Sequence, residues 1–183
     1  MKYLVSIIVL LFLLVSPIIG IYNGLQGQDE KVNSAYAQVD NQLKRRNDLI
    51  PNLVNVTKGY AKHESQVFAN VADARAKLGG AKTVEETSKA SGELSSALSR
   101  LLMIAENYPQ LKADKQFIQL SDELAGTENR IAVARMDYNN EVKKLNSKLR
   151  TFPTNIVGGM FNIEKRDYFE TSETEKATPT VEF

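Results

Sequence analysis

Cysteine is missing from this chain, and histidine occurs once, at His63, in 183 residues. The absent thiols exclude disulfides, thiol catalysis, Cys-based zinc sites and lipid attachment through cysteine. One histidine excludes a His-rich metal site within a single chain. An excess of either charge is lacking too. Lys+Arg total 23 and Asp+Glu 22, a formal net charge of +1, so nothing implies a general attraction to nucleic acid or anionic lipid. Gly79-Gly80 has no following Lys-Ser/Thr and no preceding strand, which removes a phosphate-binding loop. No HExxH grows from His63-Glu64, and Ser, His and Asp form no nucleophilic series. His63 falls on an apolar helical stripe, where a packed or boundary histidine is the ordinary reading. Tyr and Phe lie mostly at core positions rather than on basic faces, so nucleic acid is not an expected partner. The expectation is no catalytic residue, no cofactor and no metal. A weak enzyme built on carboxylates between helices is the catalytic alternative.

What is present begins with residues 3–22, an uncharged span interrupted only by Ser6, Ser16, Pro17 and Gly20. About 20 apolar residues suffice to cross a bilayer as a helix. Residues 3–15 alone would match the core of a cleaved signal peptide, but no A-x-A-like site follows. A retained signal-anchor, with the bilayer as partner through residues 3–22, is expected. Lys2 and the α-amine precede the span, while Asp29 and Glu30 come before the first following cation, Lys31. The positive-inside rule then puts the amino terminus in the cytoplasm and the domain outside, at the inner (cytoplasmic) membrane. Gly20-x-x-x-Gly24 permits close helix contact or loosens the junction. Self-association, through the anchor or an incompletely covered stripe, is a further expectation.

From Val32 to about Arg150 apolar residues recur at helical spacing. Val32, Tyr36, Val39 and Leu43 form a first stripe. Asp48 is able to cap a new helix, and Ile50 is biased from helical angles by Pro51, so a reversal is expected across 48–51. Leu53, Val56, Tyr60, His63, Val67, Val71, Ala74 and Leu78 read as one second helix, ended by Gly79-Gly80. Thr83 to Glu86 reads as a capping box opening a third helix through Leu94, Leu98, Leu101, Leu102 and Ala105. Tyr108-Pro109 stops it. A fourth helix carries Phe117, Leu120, Leu124, Thr127, Ile131, Ala134, Tyr138, Val142, Leu145 and Leu149. No such stripe is stable alone in water, and long helices on short connections predict an all-α, up-and-down bundle. After Phe152-Pro153, residues 156–163 (IVGGMFNI) either fold back on the bundle end or meet a membrane interface or partner. Beyond Glu170 the composition reads as a disordered tail. The resulting partition is 1–24 anchor, 25–150 bundle, 151–169 apolar capping segment and 170–183 tail.

Charged residues give the candidate interaction or register sites. Lys44, Arg45 and Arg46 stand before the expected reversal, where cations complement a helix carboxyl end. A solvated or capping role is the favoured reading, with docking of an acidic partner or head group as the other; three charges fall short of the roughly 4–8 of a polybasic lipid signal. Arg130 and Arg135 are expected to pair with Asp48 or Glu123, while Asn129 fixes register.

Residues 42–64 (QLKRRNDLIPNLVNVTKGYAKHE) and 107–142 (NYPQLKADKQFIQLSDELAGTENRIAVARMDYNNEV), in that order, closely resemble the signature of the LemA family of bacterial membrane-anchored helical proteins. Tyr22-Asn23, Phe152-Pro153 and the Phe161…Tyr168-Phe169-Glu170 ending are similar to the family as well. The resemblance implies a single-pass anchor followed by an elongated antiparallel four-helix bundle, and it implies no established catalytic activity. The function expected is a non-catalytic scaffold or adaptor in the cell envelope, holding a face for another envelope protein. The alternative is an accessory or regulator of a membrane protease or of a transport or stress-response assembly.

Overall fold

The computed structural model describes residues 2–170, so the expected tail, apart from Glu170, lies outside the described residues. Among these, all regular structure is helical: α1 Lys2–Tyr60, α2 Ser65–Gly80, α3 Val84–Ile104, a 3-10 turn Ala105–Asn107, α4 Pro109–Lys112, α5 Lys115–Lys148 and α6 Thr154–Met160. The apolar amino-terminal part of α1 is long enough to cross a membrane, and among its described residues none of that apolar stretch is buried within the molecule. The chain divides into two compact units, Met1–Ala37 with Met136–Asp167, and Gln38–Arg135 with the residues from Tyr168.

In the first unit, Leu25 and Val32 of α1, Tyr138, Val142 and Leu145 of α5, and Val157 of α6 are buried. Tyr36 sets its ring 5.5 Å from that of Tyr138. Gln28 Nε2 donates to the Glu141 carboxylate (2.7 Å). Gly158 lets α6 approach closely, because a Cβ there would sit 2.6 Å from Leu149 Cδ2. Phe161, just past α6, places its ring 4.5 Å from Tyr22. Asn162 then turns the chain at φ 52, a left-handed conformation that asparagine tolerates. Residues 163–167 return along α1 and α5, held where the Asn146 amide brackets the Arg166 backbone (2.8 and 3.0 Å) and Tyr138 Oη donates to Asp167 O (2.8 Å). The Arg166 guanidinium forks onto Asp29 with two 2.9 Å bonds. Burial pushes the Tyr138 phenol up to about 12, so it remains a donor across the physiological range.

In the second unit, side-chain pairings give the helix directions. Tyr60 Oη bonds Asp114 (2.8 Å) and Arg46 bonds Glu128 (2.5 Å), so α5 runs antiparallel to α1. Arg75 reaches back to Asn47 (3.1 Å), which sets α2 antiparallel to α1, and Lys77 meets Glu93 (2.7 Å), which sets α3 antiparallel to α2. The up-down-up-down order follows. Ile50, Leu53, Phe68, Val71, Leu94, Leu101, Leu111, Phe117 and Leu124 fill its apolar core. Burying a Leu, Phe or Val side chain contributes about 1.5–3 kcal/mol relative to leaving it exposed, which is what holds four amphipathic helices together.

The reversal expected at 48–51 does not occur; α1 continues through Pro51 to Tyr60, and the chain turns across 61–64. Proline forfeits one helical hydrogen bond, but the buried positions Val39, Leu43, Arg46, Ile50, Leu53, Thr57 and Ala61 stay in phase across it. Burial of that continuous face outweighs a missing bond. The second helix is correspondingly shorter than expected, with Tyr60 and His63 exposed. Gly80 ends α2, and the Thr83–Glu86 capping box opens α3, as expected.

Candidate functional site

Two polar features of the second unit involve the candidate residues. The first is buried. Arg46 is on the α1 stripe, one turn from Leu43 and one from Ile50, so helical phase carries it inward while Lys44 and Arg45 face solvent. Only 1% of Arg46 is exposed. Its Nη1 donates to Glu128 Oε2 (2.5 Å) and Ser95 Oγ (2.9 Å), and its Nη2 to Ser91 Oγ (2.7 Å). Arg135 Nη2 also donates to Ser91 Oγ (2.6 Å), and the Arg135 guanidinium lies 4.6 Å from the Phe169 ring centre. Ser88 Oγ donates to Glu170 O (2.5 Å). Small residues along α3, at Ser88, Ser91, Gly92 and Ser95, leave the room that a guanidinium needs. The Arg46 Nε–H is buried without a partner, and Gln42 Oε1 is likewise unsatisfied.

The second feature is an open groove of about 510 Å³ on the α1 and α5 surface. Arg45, Lys115, Asp122, Glu123 and Arg130 supply its charge and Ile118 an apolar wall. Gly126 keeps its floor low, with open space where a Cβ would project.

Several expectations are thereby corrected. Arg46 is an interior residue, not a solvated helix cap. Asp48, Asn129 and Arg130 are exposed, and among the described residues no hydrogen bond joins Arg130 to Asp48 or Glu123. Gln119 takes up a Glu123 oxygen instead (3.3 Å). Asn129 and Arg130 follow Glu128 on α5, and a 100° step per residue turns them away from the interior. Arg135 reaches the buried polar cluster around Arg46, through Ser91 rather than an acid. Glu128, Ser91, Ser95 and Phe169 were missed as members of it. Their signal was phase: Ser91 and Ser95 flank Leu94, and Glu128 adjoins Thr127 on the α5 stripe.

The centre's chemistry is cohesive. Arg46 and Arg135 donate into hydroxyls and one carboxylate, and Ser95 Oγ makes a long bond to that same carboxylate (3.4 Å). Among the described residues no three of His, Cys, Asp and Glu come together as a metal site requires.

The fold and these sites define a membrane-associated, all-helical protein with an arginine buried among hydroxyls and a carboxylate between its helices. The chain belongs to the LemA family, whose family model matches residues 35–183. It is similar to Protein LemA of Metamycoplasma hominis, at 28% identity over 86% of this chain and 73% of that protein. It is also similar to Magnetosome protein MamQ 2 of Paramagnetospirillum magneticum, at 25% identity over 81% of this chain and 64% of that one. Magnetosome protein MamQ of Magnetospirillum gryphiswaldense matches at 23% identity, over 87% and 70%.

Proposed function

We propose that this protein is a non-catalytic scaffold of the cell envelope. In this reading it is anchored once in the inner membrane by residues 3–22 and presents the Arg45–Arg130 groove to another envelope protein on the outer side of that membrane. The observation that carries the reading is the division of charge in the second unit. Arg46, Glu128 and Arg135 are engaged in holding helices in register, whereas Arg45, Lys115, Asp122, Glu123 and Arg130 are collected on one open surface. A groove with both signs of charge and an apolar wall suits a protein partner better than a lipid or nucleic-acid backbone, which would favour one sign.

The test is photocrosslinking in intact membranes from position 45, with captured proteins identified by mass spectrometry. A defined envelope protein captured at 45 supports the scaffold. If the captured protein is a membrane protease or a transport or stress-response subunit, the scaffold serves as its accessory. Capture from 45 no greater than from a buried position such as 94 removes the proposal. The absence of native cysteine makes the sidedness test clean: a Lys62→Cys variant should react with an impermeant maleimide in intact cells. Reaction only after lysis would place the helical units in the cytoplasm instead.

A further inference from the structure

Helix α6 has two apolar faces, and only one is covered. Val157 and Gly158 are buried, with Gly158 against Leu149 and Leu25. Away from that contact, Ile156 and Met160 stand one turn apart on α6 and are 53% and 63% exposed, and Phe152, in the turn before the helix, is 80% exposed. Phe161 adds a ring that is 48% exposed while it contacts Tyr22. Apolar side chains this open, contiguous in sequence and alike in character, mark a surface that meets something other than water.

Position identifies what that is. The contacts of α6 on α1 are Tyr22 and Leu25, at the end of the apolar span 3–22 and within one helical turn beyond it. Aromatic residues collect at that level of a bilayer, where ring and polar edge are both accommodated. Two exposed cations, Lys148 and Arg150, precede Phe152, and Lys165 follows Phe161; Glu164 is the one exposed acid between Phe161 and Lys165. Cations flanking apolar side chains fit the head-group region of anionic phospholipid.

We propose that Phe152, Ile156, Met160 and Phe161 lie in the lipid–water boundary, making α6 a second, interfacial membrane contact beside the anchor. Gly158 permits this arrangement, because its missing Cβ lets α6 come close to Leu149, just past the end of α5. The proposal rests on the reading of residues 3–22 as a membrane span, and the test separates the two. The full-length protein is reconstituted into vesicles of equal parts phosphatidylcholine and phosphatidylglycerol. A polarity-sensitive fluorophore is attached at one introduced cysteine in each of Ile156→Cys, Met160→Cys, Leu10→Cys and Lys62→Cys.

Labels at 156 and 160 should shift to the blue and be quenched by lipid carrying bromine near the head of the acyl chain. They should resist aqueous iodide, while the label at 62 shows the reverse pattern. If the label at 10 is quenched by brominated lipid and those at 156 and 160 are not, the anchor stands and the α6 proposal falls. If the label at 10 also stays unquenched, the span reading falls and takes the proposal with it. Shielding of 156 and 160 from iodide without lipid quenching would assign the face to a second protein surface and overturn the proposal. A Phe152→Ser/Ile156→Ser/Met160→Ser variant, with the label at the outer position Phe161→Cys, keeps the outcome readable if a single label distorts α6. Its label should lose the lipid quenching seen for Phe161→Cys alone while far-UV helicity is unchanged, and retained quenching would contradict an apolar contact.

Discussion

Arg46 and Arg45 are adjacent in sequence and opposite in fate, and a single helical step makes the difference. Removing a guanidinium from water costs several kcal/mol unless its hydrogens are received. Here Glu128, Ser91 and Ser95 receive hydrogens of the two terminal nitrogens while the Nε–H goes without a partner, and the Glu128 side chain is still 41% exposed, which spares part of the desolvation of the acid. A buried ion pair of this kind adds little net stability. Deleting one partner nevertheless strands the others, so Arg46→Ala should lower unfolding free energy by about 3 kcal/mol, while Arg45→Ala should change it by less than about 0.5 kcal/mol. Denaturant titration of both variants tests this directly, and equal effects would refute the buried assignment. In the sequence the three cations of the run read alike, because the expected reversal at 48–51 hides that Arg46 falls in phase with Leu43 and Ile50 on one continuous helix. What the sequence did not reveal was its acceptor, because Glu128 is separated from it by three intervening helices, α2, α3 and α4, and only tertiary packing brings them together.

At the scale of the element, the long stripe of α5 was legible because ten apolar or small positions repeat the same spacing without a competing signal. The break in α1 was not, because Pro51 is a strong local punctuation mark while the actual turn at 61–64 is announced only by Gly59 and a polar run. If α1 is continuous, Pro51→Ala restores a backbone donor inside a helix and should raise stability by about 1 kcal/mol or more. No gain, or a loss, would favour a proline-dependent reversal. The start of α3 rests on a reciprocal capping box, Glu86 N–H to Thr83 Oγ1 and Thr83 N–H to Glu86 Oε2. Thr83→Ala should therefore cost about 1 kcal/mol, read as a lower thermal midpoint. Asp114 opens α5 in a related way, and its carboxyl is held below the ordinary 3.8, first by the Phe117 amide and then by the Tyr60 hydroxyl. Protonation is thus harder in the folded state than in the unfolded chain. The contribution of Asp114 is complete above pH 3.8 and fades as pH falls through the lower folded value. Asp114→Asn, which keeps a capping oxygen, should flatten that part of the acid limb of a stability–pH curve. An unchanged limb would show that the charge is not what the amides hold.

For the whole molecule, the apolar span, the helical class and the family were all readable from residues 3–22, 42–64 and 107–142, whereas the use of the surface was not. A charged residue reads alike in sequence whether it lines a groove or merely faces solvent, and Arg45, Lys115 and Arg130 come from distant points of the chain. Their meeting on one face is the basis of the scaffold reading. Charge reversal there separates binding from folding, because these side chains are exposed and carry little of the stability. The most direct measurement is the yield of the envelope protein captured by crosslinking near the groove, compared between the native chain and an Arg45→Glu/Arg130→Glu variant with the crosslinker at position 119. The account predicts that capture is lost while the thermal midpoint of the variant stays that of the native chain. Undiminished capture by a folded variant would contradict it.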